Sequence, residues 1–123
     1  MFGFGRKKRR EYADRVDEIL NRQLGINTSA RNKNFPGGLY YLYEVDYGFD
    51  NNYSAELRAV SFAMYYWAGL LEKGTDDCRK EAKKLRALII EFTDACAVVG
   101  KVPSENQTIL HTKIKEYSDE YDL

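Results

Sequence analysis

The longest uncharged run in the sequence is AVSFAMYYWAGLL, residues 59–71. A helix that crosses a bilayer needs about 20 apolar residues, so this run is too short for a span and predicts a buried helix. The run is apolar on nearly every side of such a helix, which is typical of a helix that others surround. With its flanks, it predicts a central helix from Tyr53 to Lys73 that ends at Gly74.

The segment after Gly74 has the clearest periodicity in the chain. Thr75 is a suitable N-cap, and it is followed by Asp76 and Asp77, whose carboxylates favour the positive end of a helix dipole. Apolar residues then recur at alternating spacings of four and three: Cys78, Ala82, Leu85, Ile89, Phe92, Cys96 and Val99. The pattern predicts an amphipathic helix that ends at Gly100. Its heptads suit packing within the chain, and self-association into a homodimer is the alternative.

Two further helices are predicted towards the ends of the chain. The first runs from about Lys7 to Leu24, with Gly25 as its C-terminal cap. The last begins at Pro103 and Ser104, and Gln107 completes a capping box with Ser104. Both carry apolar stripes at helical spacing: Tyr12, Val16, Ile19 and Leu24 in the first, and Leu110, Ile114, Tyr117 and Tyr121 in the last.

The segment LYYLYEVDYGF (Leu39–Phe49) fits two secondary structures. Its alternating apolar and aromatic residues suit a strand, and its residue types have strand propensity. No second segment is a convincing partner strand, and a lone strand leaves its backbone groups unpaired, so a short helix is favoured. The sequence therefore predicts an all-α fold, a single-domain antiparallel bundle of four to five helices.

The charges divide the chain unevenly. Five of the 19 Lys and Arg residues are consecutive, at Arg6–Arg10, which leaves 14 against 19 Asp and Glu elsewhere. We therefore predict a flexible basic arm at residues 1–10, followed by a mildly acidic helical domain at residues 11–123. An acidic body argues against nucleic-acid binding over a broad face, because such binding needs cations spread across the surface.

The subcellular location of the protein is inferred from the cysteines and from the N-terminal sequence. Cys78 and Cys96, if they lie on one helix, are about 27 Å apart at 1.5 Å per residue, whereas a disulfide allows roughly 7 Å between α-carbons. The basic run is followed by EYADRVDEILNRQ rather than by an apolar stretch, so no secretory signal is evident. We expect a cytoplasmic protein, with peripheral membrane contact as the alternative.

The sequence contains no convincing catalytic, cofactor or metal motif. His111 is the only histidine, and the two cysteines lie in an apolar stripe, where a thiol behaves as a small hydrophobic group and stays protonated. An enzyme whose pocket gathers His111 with Glu44 or Asp46 is the third and least favoured hypothesis. We therefore expect no cofactor, no metal site and no catalytic residue.

Tyrosine is the most distinctive component of the composition, with ten in 123 residues. Tyrosines serve either core packing or recognition, because they are enriched at protein interfaces. The candidate partner-binding residues are Tyr40, Tyr41, Tyr43, Tyr47, Phe49 and Tyr53. The leading hypothesis is a small protein-binding module without enzymatic activity, of the adaptor, chaperone or inhibitor type, whose partner is another protein.

The basic arm supports an alternative function. Clustered cations favour an anionic membrane or another polyanion, and neighbouring phenylalanines can insert shallowly into a bilayer. The candidate residues for binding an anionic surface are Phe2, Phe4, Arg6, Lys7, Lys8, Arg9 and Arg10. Such a tail binds membranes only weakly unless a second anchor adds to it, so the sequence supports an auxiliary contact.

Overall fold

The computed structural model describes the backbone of residues 2–35 and 53–123, and the side chains of residues 10–35 and 53–123; throughout these ranges the regular structure is helical. Helix α1 is Phe2–Glu18 and continues into a short π-helix, Ile19–Gln23. The remaining helices are α2 at Ala55–Lys73, α3 at Asp76–Val98 and α4 at Ser104–Glu120. The predicted all-α bundle is confirmed. The Tyr-rich segment, residues 39–49, lies outside the described residues.

Helix α1 begins five residues before the predicted start at Lys7. The backbone of residues 2–10, which the sequence assigned to a flexible arm, is helical and continuous with the rest of α1. The division into an arm and a domain stays a prediction. At the other end, the predicted cap is present: Gly25 has a left-handed φ of 66°, and the Ile26 amide donates to the Leu20 carbonyl (2.8 Å).

Helices α2 and α3 form an antiparallel pair joined by a two-residue turn. Ser54 caps α2 by accepting a hydrogen bond from the Leu57 amide, and Gly74 closes it in a left-handed conformation with a φ of 67°. Thr75 then caps α3 by accepting from the Cys78 amide. Gly74 and Thr75 were predicted, and Ser54 acts in the same way, because each of the three supplies what a helix end lacks: a side-chain acceptor or a positive φ.

Two predictions at the turn between α3 and α4 are wrong. Val99 was predicted as the last residue of the apolar stripe, but α3 ends at Val98, and Val99 is 67% exposed because the chain leaves the helical phase there. Ser104 was predicted to form a capping box with Gln107. Pro103 occupies the cap position instead, and the Gln107 side chain donates to Asp94 Oδ1 (2.9 Å).

The main core lies between all four helices, α4 contributing Leu110 and Ile114, and Trp67 is its largest fully buried side chain. Its indole Nε1 donates to the Ala82 carbonyl (2.9 Å), and its ring lies 6.1 Å from that of Tyr117 on α4. The prediction that other helices surround α2 is only partly right. Tyr65, in the middle of the uncharged run, is 80% exposed, so the described neighbours of α2 leave one of its apolar faces uncovered.

None of the helices in the described part of the chain has both the length and the apolar character that crossing a bilayer requires.

Candidate functional site: a groove between α2 and α4

The uncovered face of α2 forms one wall of a groove whose other wall is α4. Helix α3 packs against both α2 and α4 and so holds the two walls in place. The groove has a volume of about 260 Å³. Its lining consists of Leu57, Val60, Ser61, Met64, Tyr65 and Ala68 from α2, Val102 from the turn, and Asn106, Ile109, Leu110, Lys113 and Tyr117 from α4.

Buried residues anchor both ends of the groove. At one end, Leu57 and Val102 pack together with Cys96 in a small cluster separate from the main core. At the other end, Tyr117 lies against Trp67, with 6.1 Å between the ring centroids. From Leu57 to Ala68 the α2 wall is about 16 Å long at 1.5 Å per residue, or roughly three helical turns. The walls are therefore rigid helix faces rather than loops.

The two lips of the groove carry exposed apolar side chains. Tyr65 on α2 is 80% exposed, and Ile109 on α4 is 52% exposed. Among the described residues, Lys113 is the one charged residue that lines the groove, while Ser61 and Asn106 add neutral polar groups. In this part of the chain the site therefore combines an apolar surface with a single positive charge.

Of the predicted partner-binding residues, the structure describes only Tyr53. Tyr40, Tyr41, Tyr43, Tyr47 and Phe49 fall outside the described residues. Tyr53 lies just before α2, is 49% exposed, and has the Arg58 guanidinium 5.6 Å from its ring centroid. The Tyr53 carbonyl accepts a hydrogen bond from the Tyr12 hydroxyl (2.7 Å), so its backbone is part of a contact between α1 and α2.

Two neighbouring tyrosines on α2 have different environments, one in the core and one at the surface. Tyr66 points into the core, where its hydroxyl donates to the Glu81 carboxylate (2.8 Å) and burial raises its pKa to about 12. Tyr65, one residue earlier, points outward into the groove lip. Tyr66 is thus a packing residue, whereas Tyr65 is free to contact a partner.

The arm residues belong to the first turns of α1. The backbone of Phe2, Phe4, Arg6, Lys7, Lys8 and Arg9 is helical, and their side chains lie outside the described residues. Arg10, the last of the basic run, is exposed.

His111 forms a surface pair rather than a pocket. Its Nε2 lies 2.8 Å from Asp94 Oδ1, and both side chains are more than 40% exposed. Glu44 and Asp46, its predicted partners in an enzyme, fall outside the described residues. Among the described residues, no cluster of His, Cys, Asp and Glu is suited to holding a metal ion.

Both cysteines are free and buried on α3, as the heptad pattern predicted. Burial raises the pKa of the Cys96 thiol, and the nearby Glu56 carboxylate raises it further. Cys96 is therefore held in its protonated form, which is the opposite of what a thiolate nucleophile requires.

We expect the contact between Asp94 and His111 to stabilise the fold in a pH-dependent way. Hydrogen bonds from Gln107 and His111 hold the pKa of the Asp94 carboxyl below its usual value. A carboxylate whose pKa is lower in the folded state than in the unfolded state stabilises the folded state at pH values above the unfolded pKa of about 3.9. This stabilisation is lost as the pH falls through the folded pKa. We expect Asp94→Asn to lower the free energy of unfolding by roughly 0.5 kcal/mol at neutral pH.

Urea unfolding at neutral pH and at pH about 3 measures this effect. The gap between wild type and Asp94→Asn is expected to shrink at the lower pH. Glu116→Gln, which replaces an exposed carboxylate on the same helix as His111, controls for the loss of a surface charge. An equal gap at both pH values would show that the ionisation of Asp94 does not cause the loss.

Comparisons with known proteins do not assign a function. No protein-family model matches the chain, and neither a curated protein nor a solved structure matches it. The sequence reasoning placed recognition at the Tyr-rich segment and missed the groove residues Ser61, Met64, Ile109 and Lys113. The available signal was the uncharged run of α2, which is apolar on more faces than its neighbours cover.

Proposed function

We propose that the protein is a binding module without enzymatic activity, and that it holds an amphipathic helix of another protein in the groove between α2 and α4. The observation that carries this proposal is the uncovered apolar face of α2, where Tyr65 is 80% exposed beside a groove lined mainly by apolar residues. Exposed apolar patches next to a preformed groove are typical of protein interaction sites.

The shape of the groove favours a helix over a small molecule. Pockets for small molecules bury most of the ligand, whereas this groove, of about 260 Å³, is an open channel between two helix faces. Its walls run for roughly three helical turns, the length over which a docked helix presents side chains at positions i, i+3 or i+4, and i+7. Three such side chains would fill the space between Leu57 and Tyr117.

The charge of the groove specifies the partner further. Among the residues that the structure describes, Lys113 is the only charged one that lines it. A docked helix that carries a carboxylate beside its apolar stripe pairs with this ammonium group, and charge complementarity of this kind adds specificity. The partner is therefore an amphipathic helix with an acidic residue at the edge of its apolar face.

A selection from a display library of helical peptides tests the proposal. Peptides enriched by wild-type protein are expected to carry an apolar stripe with Glu or Asp at its edge. With Lys113→Glu as the target, Lys or Arg is expected to replace that acidic residue in the enriched sequences, because the charge of the groove is reversed. Lys113 is exposed, so the substitution leaves the fold intact.

Affinity measurements with one enriched peptide then locate the site. The double variant Tyr65→Ala/Ile109→Ala is expected to weaken binding about tenfold, because both side chains are lip contacts. Val98→Ala removes an exposed apolar side chain outside the groove and is the matched control. Equal affinities of the two variants for the peptide would exclude the groove as the peptide-binding site. A dimer in solution that Tyr65→Ala/Ile109→Ala dissociates would also contradict the proposal, because the groove would then bind a second copy of the chain.

A further inference from the structure

A second exposed apolar site lies at one end of the bundle, at the turn between α3 and α4. Val98 and Val99 are 85% and 67% exposed, which makes Val98 the most exposed large apolar side chain among the described residues. Lys101 follows two residues later, with 54% of its side chain exposed. Two adjacent valines are thus exposed to solvent beside a cation at the tip of a turn. They do not pack in the core.

The start of α2 belongs to the same end of the bundle. The Ser54 hydroxyl donates to the Lys101 carbonyl (2.6 Å), which ties the beginning of α2 to the turn. Tyr53, the residue before Ser54, is 49% exposed and adds an amphipathic ring of the kind that membrane–water interfaces favour.

The first turns of α1 also lie at this end. The Tyr12 hydroxyl donates to the Tyr53 carbonyl (2.7 Å), whereas Gly25, beyond the far end of α1, lies against the side chain of Leu88 in the middle of α3. The helix therefore runs from the end of the bundle towards its middle. Residues 2–10, which precede Tyr12 in the same helix and include five consecutive cations in the sequence, extend from this end.

The cations of this end are mainly those in the sequence of residues 6–10. Glu56 is buried there, and its carboxylate is matched by Arg15 Nη2 at 3.5 Å and Lys101 Nζ at 3.4 Å. The five cations of the sequence outnumber the exposed carboxylates near this end, which are Glu11, Asp14 and Glu105. The exposed valines and the basic start of α1 thus belong to the same end of the bundle.

We propose that this end of the bundle docks on an anionic lipid bilayer, with Val98 and Val99 inserted shallowly and the cations of residues 6–10 among the headgroups. Membrane attachment of a peripheral protein requires two signals, and the fold supplies both at one place: an apolar tip and a basic helix. Each cation near an anionic leaflet strengthens binding about fivefold. The groove between α2 and α4 is a different surface, so this inference is independent of the proposed protein partner.

Vesicle co-sedimentation tests the proposal with full-length protein. The probes are vesicles of phosphatidylcholine alone and of phosphatidylcholine with phosphatidylserine. We expect binding only to the anionic vesicles at about 0.1 M salt, and clear weakening at about 1 M salt, where the Debye length falls from roughly 10 Å to 3 Å. Absence of binding to the anionic vesicles at the lower salt concentration would overturn the proposal.

Substitutions separate docking by the tip from attraction by the basic helix alone. Val98→Asp/Val99→Asp is expected to weaken binding about tenfold, as is replacement of the five cations by Gln. Val98→Gln/Val99→Gln is a second variant that adds no charge at the end of α3. Lys83→Glu changes the net charge by the same two units at an exposed position about 22 Å from Val98 along α3 and is the matched control, with no change expected.

Two outcomes would contradict the proposal. If both valine variants bind the anionic vesicles with wild-type affinity, the basic helix alone accounts for binding and insertion of the valines is excluded. Duplex DNA binding that is as tight as vesicle binding, and equally insensitive to the valines, would make the basic helix a general polyanion site.

Discussion

Trp67→Ala is expected to lower the free energy of unfolding by about 4 kcal/mol, the largest effect of any single substitution considered for this chain. Trp67 is completely buried and packs at the point where α2, α3 and α4 meet, against Ala82 and Tyr117. Truncation removes the apolar transfer energy of the ring and leaves a cavity between rigid helices that collapse only partially.

Trp67→Phe separates the packing of the indole from its hydrogen bond. The Ala82 carbonyl lies inside α3 and also accepts the helical bond from the amide four residues later, so removal of the indole N–H leaves no orphaned acceptor. We therefore expect this variant to lose only about 1–2 kcal/mol.

Urea unfolding followed by far-ultraviolet circular dichroism measures both variants. Fluorescence cannot serve, because Trp67 is the only tryptophan in the chain. Tyr65→Ala, two residues away but exposed, is the control and is expected to change stability by less than about 0.5 kcal/mol. A loss below about 1.5 kcal/mol in Trp67→Ala would mean that α2 is not held by this contact.

The elements that the sequence predicts well are those whose ends and faces are set locally. The caps Gly74 and Thr75 were identified because a left-handed glycine or a side-chain acceptor acts on its own helix end. The stripe from Cys78 to Cys96 was identified because a spacing of four and three repeats only on one helical face. Neither inference requires knowledge of the partner element.

The failures arise where a contact between distant residues, or the end of a helix, overrides the local pattern. Gln107 was assigned to a local capping box, but Asp94, 13 residues earlier, competes for its amide. Val99 continues the heptad in the sequence, yet the chain leaves the helix before it. Periodicity assigns a face to each residue and does not say whether a neighbour covers that face.

The candidate site illustrates the same limit. The sequence indicated that α2 is apolar nearly all round, and the structure shows that its neighbours leave the Tyr65 face open. Lys113 joins this face only because α4 returns alongside α2. The pairing of an apolar helix face with a lysine from another helix is a property of the fold, and no local pattern predicts it.

Arg15→Met/Lys101→Met is expected to lower the free energy of unfolding by about 2–3 kcal/mol, more than the sum of the two single substitutions. The Glu56 side chain is 10% exposed and accepts from Arg15 on α1 and from Lys101 in the turn after α3. With either cation gone, the other still compensates the carboxylate, so each single variant should lose less than about 1 kcal/mol. With both gone, a buried charge loses its partners.

Two features keep the expected loss below the roughly 3–5 kcal/mol typical of a broken buried pair. The side chains of Arg15 and Lys101 are 42% and 54% exposed, so solvent already screens the interaction. Glu56 also lies in the first turn of α2, where the helix dipole favours a carboxylate.

Glu56→Gln provides the decisive control, because it removes the charge that the two cations compensate. In the Arg15→Met/Lys101→Met background it is expected to restore part of the lost stability, whereas in the wild-type background it is expected to destabilise. Chemical unfolding of the eight combinations of these three substitutions measures the coupling directly. Additive losses, with no recovery from Glu56→Gln, would show that Arg15 and Lys101 stabilise the end of the bundle through their aliphatic stems rather than through their charge.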